Sequence, residues 1–154
     1  MADSITPLHE SAPGTLPSVE KIAPGITCEW LHDRALMTYT VRSVARPSVD
    51  AWLKHIKQHM MAWPLDRPHL VLQDLSDETT GSTPYVRERT QEIVKWRPEL
   101  KTHLALILPR TFQGRMIQFF VQAQRDSVAR IFFSSTEGLA WLQSYLPTSQ
   151  RSAR

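Results

Sequence analysis

Cysteine is almost absent from this 154-residue chain, where Cys28 stands alone. One thiol cannot form an intramolecular disulfide, and a cysteine-rich metal site is excluded with it. That agrees with a reducing compartment. Glycine is scarce too, five in all, and none falls in a G-x-x-x-x-G-K or G-x-G-x-x-G pattern. The glycine-rich loops that cradle phosphates are therefore missing, as is the G-x-S-x-G turn that presents a serine nucleophile. No run approaches the ~18 apolar residues of a membrane-spanning helix. Residues 1–24 lack the cationic start and apolar stretch of a signal peptide, so the expected location is the cytoplasm. The formal net charge is only +3, and Lys and Arg are spread along the chain rather than clustered. Nucleic acid is not an expected partner on that ground. Arg151 and Arg154 lie in a short polar stretch, where they add solubility.

What is present suits one domain whose core needs no staples: 42% of the residues are hydrophobic and 21% charged. Residues 1–24 carry Pro7, Pro13, Pro17 and Pro24 among Ser, Thr and Gly. They hold too little apolar surface to offset their ordering entropy, and a disordered tail is expected. The ordered domain is expected over residues 25–146, with a polar tail at 147–154.

Within that domain, Ile26, Cys28 and Trp30 alternate with polar residues, as do Met37, Tyr39 and Val41, with the polar corner His32-Asp33-Arg34 between the two runs. This predicts an antiparallel hairpin. Ser48 follows Pro47 as an expected N-cap. Val49, Trp52, Leu53, Ile56, Met60 and Trp63 then recur at helical spacing up to Pro64. The continuous run Leu70-Val71-Leu72 predicts a strand covered on both faces. Thr83-Pro84 reads as N-cap and N1 proline of a helix over 84–96, with Val86, Thr90 and Ile93 inward. A strand over 102–108, a helix over 111–125, a strand over 128–133 and a last helix capped by Thr136 complete the order β-β-α-β-α-β-α-β-α. The expected fold is α/β, with a mixed sheet of about five strands and four helices.

That order, with three local features, resembles the STAS/SpoIIAA-like (STAS/SEC14-type) domain family. Leu70-Val71-Leu72-Gln73-Asp74-Leu75-Ser76 is similar to the family's L-V-L-D-L-S strand. A Ser/Thr/Gly loop, Thr79-Thr80-Gly81-Ser82-Thr83, leads from it directly into a helix. Phe132-Phe133 and the stretch from Thr136 to Leu142 resemble the ending of the short bacterial SpoIIAA-like proteins. The resemblance covers residues 25–146. It implies a non-catalytic regulatory module that binds another protein through the 76–83 loop and the helix after it, with no cofactor. In anti-sigma-factor antagonists of the family a kinase modifies a serine in Asp-Ser-Ser-Gly. Here the matching stretch is Thr79-Thr80-Gly81-Ser82, without the Asp and with the Gly displaced. The implied switch residues are Thr79, Thr80, Ser82 and Thr83. A phosphate there would lie near a helix N-terminus, whose free N–H groups tolerate it. Plain turn chemistry explains the same residue types.

Other residues bear on function directly. Tyr85 and Trp96 share one edge of the 84–96 helix with Arg89 between them, a candidate partner surface. The 111–125 helix carries Phe112, Met116, Phe119 and Ala123 on one side and Gly114, Ile117 and Val121 on the other. Ile117 and Val121 thus mark a second contact face, for a homodimer or a partner. His55 and His59 stand at i and i+4, a spacing that places two imidazoles on one metal, but no third ligand accompanies them and no metal is expected. Cys28 reads as a small buried thiol. Asp74, Asp77 and Glu78 lie at a strand's carboxyl end, where α/β folds put their sites, without a paired arrangement for acid–base work. The alternative function is binding of a lipid or other apolar ligand, with the aromatics and Met37, Met60, Met61 and Met116 as lining.

Overall fold

The alternating apolar residues form two adjacent antiparallel strands, β2 (Ile26–Leu31) and β3 (Leu36–Val41), in the register Cys28↔Tyr39 and Trp30↔Met37. The structure, a computed structural model, describes residues 18–78, 80, 83–111 and 129–151. Three further strands lie beside β3, each parallel to its neighbour: β4 (His69–Asp74), β5 (Thr102–Ile107) and β6 (Ala129–Phe132). A sixth strand, β1 (Val19–Ala23), pairs antiparallel with β2 at the opposite edge, and the sheet order is β1-β2-β3-β4-β5-β6. The α/β class and the mixed sheet are as expected.

β1 corrects the expectation of a tail over 1–24. Val19, Glu20 and Lys21 are exposed and only Ala23 is buried, so the segment has no apolar alternation of its own. Pairing with β2 makes it a strand, and the charge of Lys21 suits an edge. Pro24-Gly25 turns the chain from β1 into β2. Gly25 has φ 77°, and a Cβ there would stand 2.7 Å from the Cβ of Ser43. Only glycine suits that place.

Helix α1 (Arg46–Ala62) lies on one face of the sheet and buries Val49, Trp52, Leu53, Ile56 and Met60, the predicted stripe. Burying each such side chain is worth about 1.5–3 kcal/mol. The helix starts three residues earlier than expected, with Ala45 at the N-cap and Pro47 in the first turn. Ser48 is therefore not the cap, and its hydroxyl donates to the Pro24 carbonyl at 3.1 Å. At the other end one guanidinium nitrogen of Arg97 donates to the carbonyls of Met60 (2.6 Å), Met61 (3.3 Å) and Trp63 (2.6 Å). Carbonyls at a helix terminus lack the i+4 N–H partner of interior ones.

The expected 84–96 helix is two helices, α2 (Pro84–Gln91) and α3 (Ile93–Trp96), broken at Glu92. Thr83 caps α2 as expected, its hydroxyl accepting from the Val86 N–H at 3.3 Å. The β3–α1–β4 and β4–α2–α3–β5 connections step the same way across the sheet. Connections of one hand then put their helices on one face, and Val86 and Ile93 do share a core with α1. The opposite face is covered by α4 (Ser135–Gln143), whose Leu142 packs with Leu36, Leu70, Leu72, Ala105 and Ile107. Leu70 and Leu72 thus face one core and Val71 the other, as the continuous apolar run of β4 requires. Thr136 lies inside the first turn of α4, whose N-cap is Ser134. The 111–125 helix lies outside the described residues.

The expected tail at 147–154 is also corrected. Residues Thr148–Arg151 form one turn, α5. Arg151 donates to the carbonyls of Leu146 (2.8 Å) and Ser144 (2.6 Å). His32 Nδ1 donates to the Gln150 carbonyl at 3.1 Å, and its Nε2 accepts from the Gln143 amide at 3.0 Å. These contacts brace an unusual turn: His32, Asp33 and Arg34 have φ of 52°, 53° and 64°. Three left-handed non-glycine residues cost about 1–2 kcal/mol each.

Candidate functional site

The connection from β4 to α2 begins with a turn that Asp74 builds. Its Oδ1 accepts from the Ser76 N–H at 3.0 Å and from the Ser76 hydroxyl. Arg42, just beyond β3, reaches Asp74 at 3.6 Å and Asp77 at 3.5 Å. One guanidinium therefore ties the end of β3 to the start of this loop. The Thr80 N–H donates to the Asp77 carbonyl at 3.1 Å. Thr80 is buried, and its hydroxyl has no hydrogen-bond partner among the described residues. Thr83 is occupied as the α2 cap. Of the four candidate switch residues, Thr83 is the N-cap of α2 and Thr80 lies in the loop before it, whereas Thr79 and Ser82 lie outside the described residues.

The candidate partner surface is engaged within the molecule. The Tyr85 hydroxyl donates to Asp50 of α1, and Arg46 of α1 lies over its ring, 5.0 Å from the centroid. The bond to Asp50 raises the Tyr85 phenol above its ordinary range. Arg89 pairs with Glu92 at 2.8 Å and with Asp50 at 3.5 Å. Lys57 of α1 lies 5.4 Å from the Trp96 ring centroid. Tyr85, Arg89 and Trp96 thus hold α2 and α3 against α1, each leaving part of its surface to solvent. Ile117 and Val121 lie outside the described residues.

A second cluster lies beneath β1 and β2, and sequence reasoning found only pieces of it. The Tyr39 hydroxyl stands 2.7 Å from His55 Nδ1. His55 Nε2 is 3.2 Å from His59 Nε2 and 3.4 Å from a Glu20 carboxylate oxygen. The i, i+4 spacing of the histidines was legible. Glu20 was not, because β1 gave no sign of being a strand, and neither was the descent of Tyr39 onto α1. Burial pushes the Tyr39 phenol well above its ordinary range and the Cys28 thiol up to about 12. Cys28 is thus a protonated, unreactive thiol at neutral pH. Burial, and then the charge of His55, lowers His59 below the ordinary imidazole range. Deeper in, Trp63 meets His69 edge-on, with ring centroids 5.1 Å apart. His69 bonds Thr102 through Nδ1, and burial lowers it to about 4.

Among the described residues no group of three His, Cys, Asp or Glu side chains converges to hold a metal, and no helix is long and apolar enough to cross a membrane. Met37 and Met60 pack into the core, while Met61 is exposed on a shallow groove of about 560 Å³ with Lys54, Lys57, Gln58 and Ala62. Met116 lies outside the described residues. Comparison of the chain with protein-family models, with curated proteins and with solved structures gives no match.

Proposed function

We propose that this chain is a non-catalytic regulatory module of the STAS/SpoIIAA-like type, working in a bacterial cytoplasm. It binds another protein through the 76–83 loop and α2, and modification of the loop switches that binding. The observation that supports this reading is Thr80, buried in the connection from β4 to α2, whose hydroxyl has no hydrogen-bond partner among the described residues. Arg42 restrains the loop on one side and the Thr83 cap restrains α2 on the other.

A buried hydroxyl without a partner costs about 1–3 kcal/mol. Exposing Thr80 to solvent would let its hydroxyl bond water. A phosphate carries a charge of about −1.5 to −2 and could not remain in the closed position. Phosphorylated Thr80 would stay outside, close to the free N–H groups of the first turn of α2, where negative charge is tolerated. The partner would then meet a changed loop and a changed helix start.

Native mass spectrometry of the protein purified from its own host tests this directly. The expected result is a phosphate on Thr80, or a retained protein partner whose binding weakens in Arg42→Ala and Thr80→Glu. The reading fails if the native protein never carries phosphate and Thr80→Ala and Arg42→Ala leave partner binding unchanged.

A further inference from the structure

We propose that His55 and His59 of α1 are the two protein ligands of a divalent transition-metal ion, Zn²⁺ above all, held between their Nε2 atoms with water in the remaining positions. Residues at i and i+4 share one face of a helix. Here the two Nε2 atoms stand 3.2 Å apart, with the ring planes inclined by 57°. An ion at the usual zinc–nitrogen distance of about 2.0–2.1 Å from each would subtend an angle of about 100° across that gap, close to the tetrahedral geometry of zinc. The two rings therefore need no rearrangement to share an ion.

The surroundings of His55 match those of a ligand. A ligating imidazole gives its other ring N–H to an oxygen, which fixes the ring. The Tyr39 oxygen lies 2.7 Å from His55 Nδ1, while the Tyr39 hydroxyl itself donates to the Met37 sulfur at 3.6 Å. Tyr39 thus serves as the acceptor, and the lone pair of His55 is on Nε2, the atom nearest His59. A Glu20 carboxylate oxygen stands 3.4 Å from the same Nε2. A lone pair and a carboxylate oxygen at that distance repel unless a positive charge lies near both. A proton or a metal ion supplies it.

No third His, Cys, Asp or Glu converges with the pair among the described residues, so Glu20 stands beside the ion as an offsetting charge. Arg34 from the β2–β3 turn acts against a cation here. Imidazole nitrogen selects Zn²⁺, Cu²⁺ or Ni²⁺, whereas Mg²⁺ and Ca²⁺ take oxygen. Two protein ligands are fewer than a structural or catalytic zinc site has, so the ion exchanges readily. Glu20 is largely exposed and His55 partly so, which gives the ion a path in.

Calorimetric titration of the intact, tag-free chain with ZnCl₂ at neutral pH tests the site. One ion per chain is expected, with a dissociation constant tighter than about 100 μM. His59→Gln, at a half-buried position, should weaken binding by at least about tenfold, and His103→Gln, on the other face, should leave it unchanged. In the unaltered protein, Co²⁺ should shift the ring resonances of His55 and His59 furthest among the six histidines. The proposal is overturned if no ion binds, which leaves a proton as the charge beside Glu20. It is equally overturned if His59→Gln and His103→Gln bind alike, or if Co²⁺ shifts another histidine further.

Discussion

The two faces of the sheet are built from different materials. Under α4 the buried cluster is aliphatic throughout: Ala35, Leu36, Leu70, Leu72, Ala105, Ile107, Leu142 and Leu146. Its polar neighbours Thr38 and His103 stand outside that cluster. Under α1 the core is aromatic and threaded with polar atoms. It holds Trp30, Trp52, Trp63 and Tyr39, with His55, His59 and His69 among them. The buried aliphatic cluster interlocks closely with α4, and a Cβ on Gly138 would stand 2.6 Å from Ile107 Cδ1. At the rim of this face His103 meets the Trp141 ring edge-on, 6.0 Å between centroids. The α1 face is held partly by groups that titrate and lie within its core, so its stability depends more on pH than that of the aliphatic cluster.

The largest effect is expected on the aliphatic face. Leu142 is fully buried, and Leu142→Ala should cost about 2–5 kcal/mol through lost burial and a residual cavity. Urea unfolding in neutral and mildly acidic buffer should give the same loss. A loss that changes with pH would break the comparison.

The α1 face should supply most of the acid sensitivity. His69 binds its proton with a pKa of about 4 in the fold, against 6.5 for an ordinary imidazole. Its contribution is therefore present above pH 6.5 and lost as the pH falls toward 4, because the unfolded chain then binds more protons. The integrated loss is about 3 kcal/mol. His69→Gln should flatten this part of the stability–pH curve, leaving the smaller slopes of His59 and His103, which have the same sign. An unchanged curve would return the acid sensitivity to groups outside this core.

Two smaller effects sharpen the picture. Gly138→Ala should cost about 1–3 kcal/mol by overpacking. The loss should fall near the lower end, since the atom it meets is the tip of a flexible side chain. Calorimetry should show a lowered melting temperature with no change in pH dependence. Thr83→Ala removes the α2 cap and should cost about 1 kcal/mol. Exchange measurements should place that loss in residues 84–91 and leave α4 unaffected.

Much of this was legible because burial writes periodicity into a chain. The α1 stripe, the β2–β3 hairpin, the doubly covered β4 and the Thr83-Pro84 helix start each follow from local pattern. What escaped was made elsewhere. β1 lacks alternation because an edge strand buries little, so Glu20 could not be placed beside His55. Tyr85, Arg89 and Trp96 read as a recognition patch or equally as a rim of the core, because a helix edge does not announce its neighbour; Asp50, Arg46 and Lys57 of α1 contact them. Glu92 gave no warning of the break between α2 and α3. The polar stretch at 147–151 hid the turn at 148–151, where His32 meets the Gln150 carbonyl and Arg151 reaches back to the carbonyls of Ser144 and Leu146.

By itself, then, the sequence determined the α/β class, the mixed sheet and most element positions, because apolar spacing is a local property that any one segment carries. The tertiary structure alone decided which polar groups meet. Glu20, Tyr39, His55 and His59 come together from β1, β3 and α1, and Arg42 reaches Asp74 and Asp77 from just beyond β3. Such contacts depend on where whole elements stack, and no spacing along the chain encodes that.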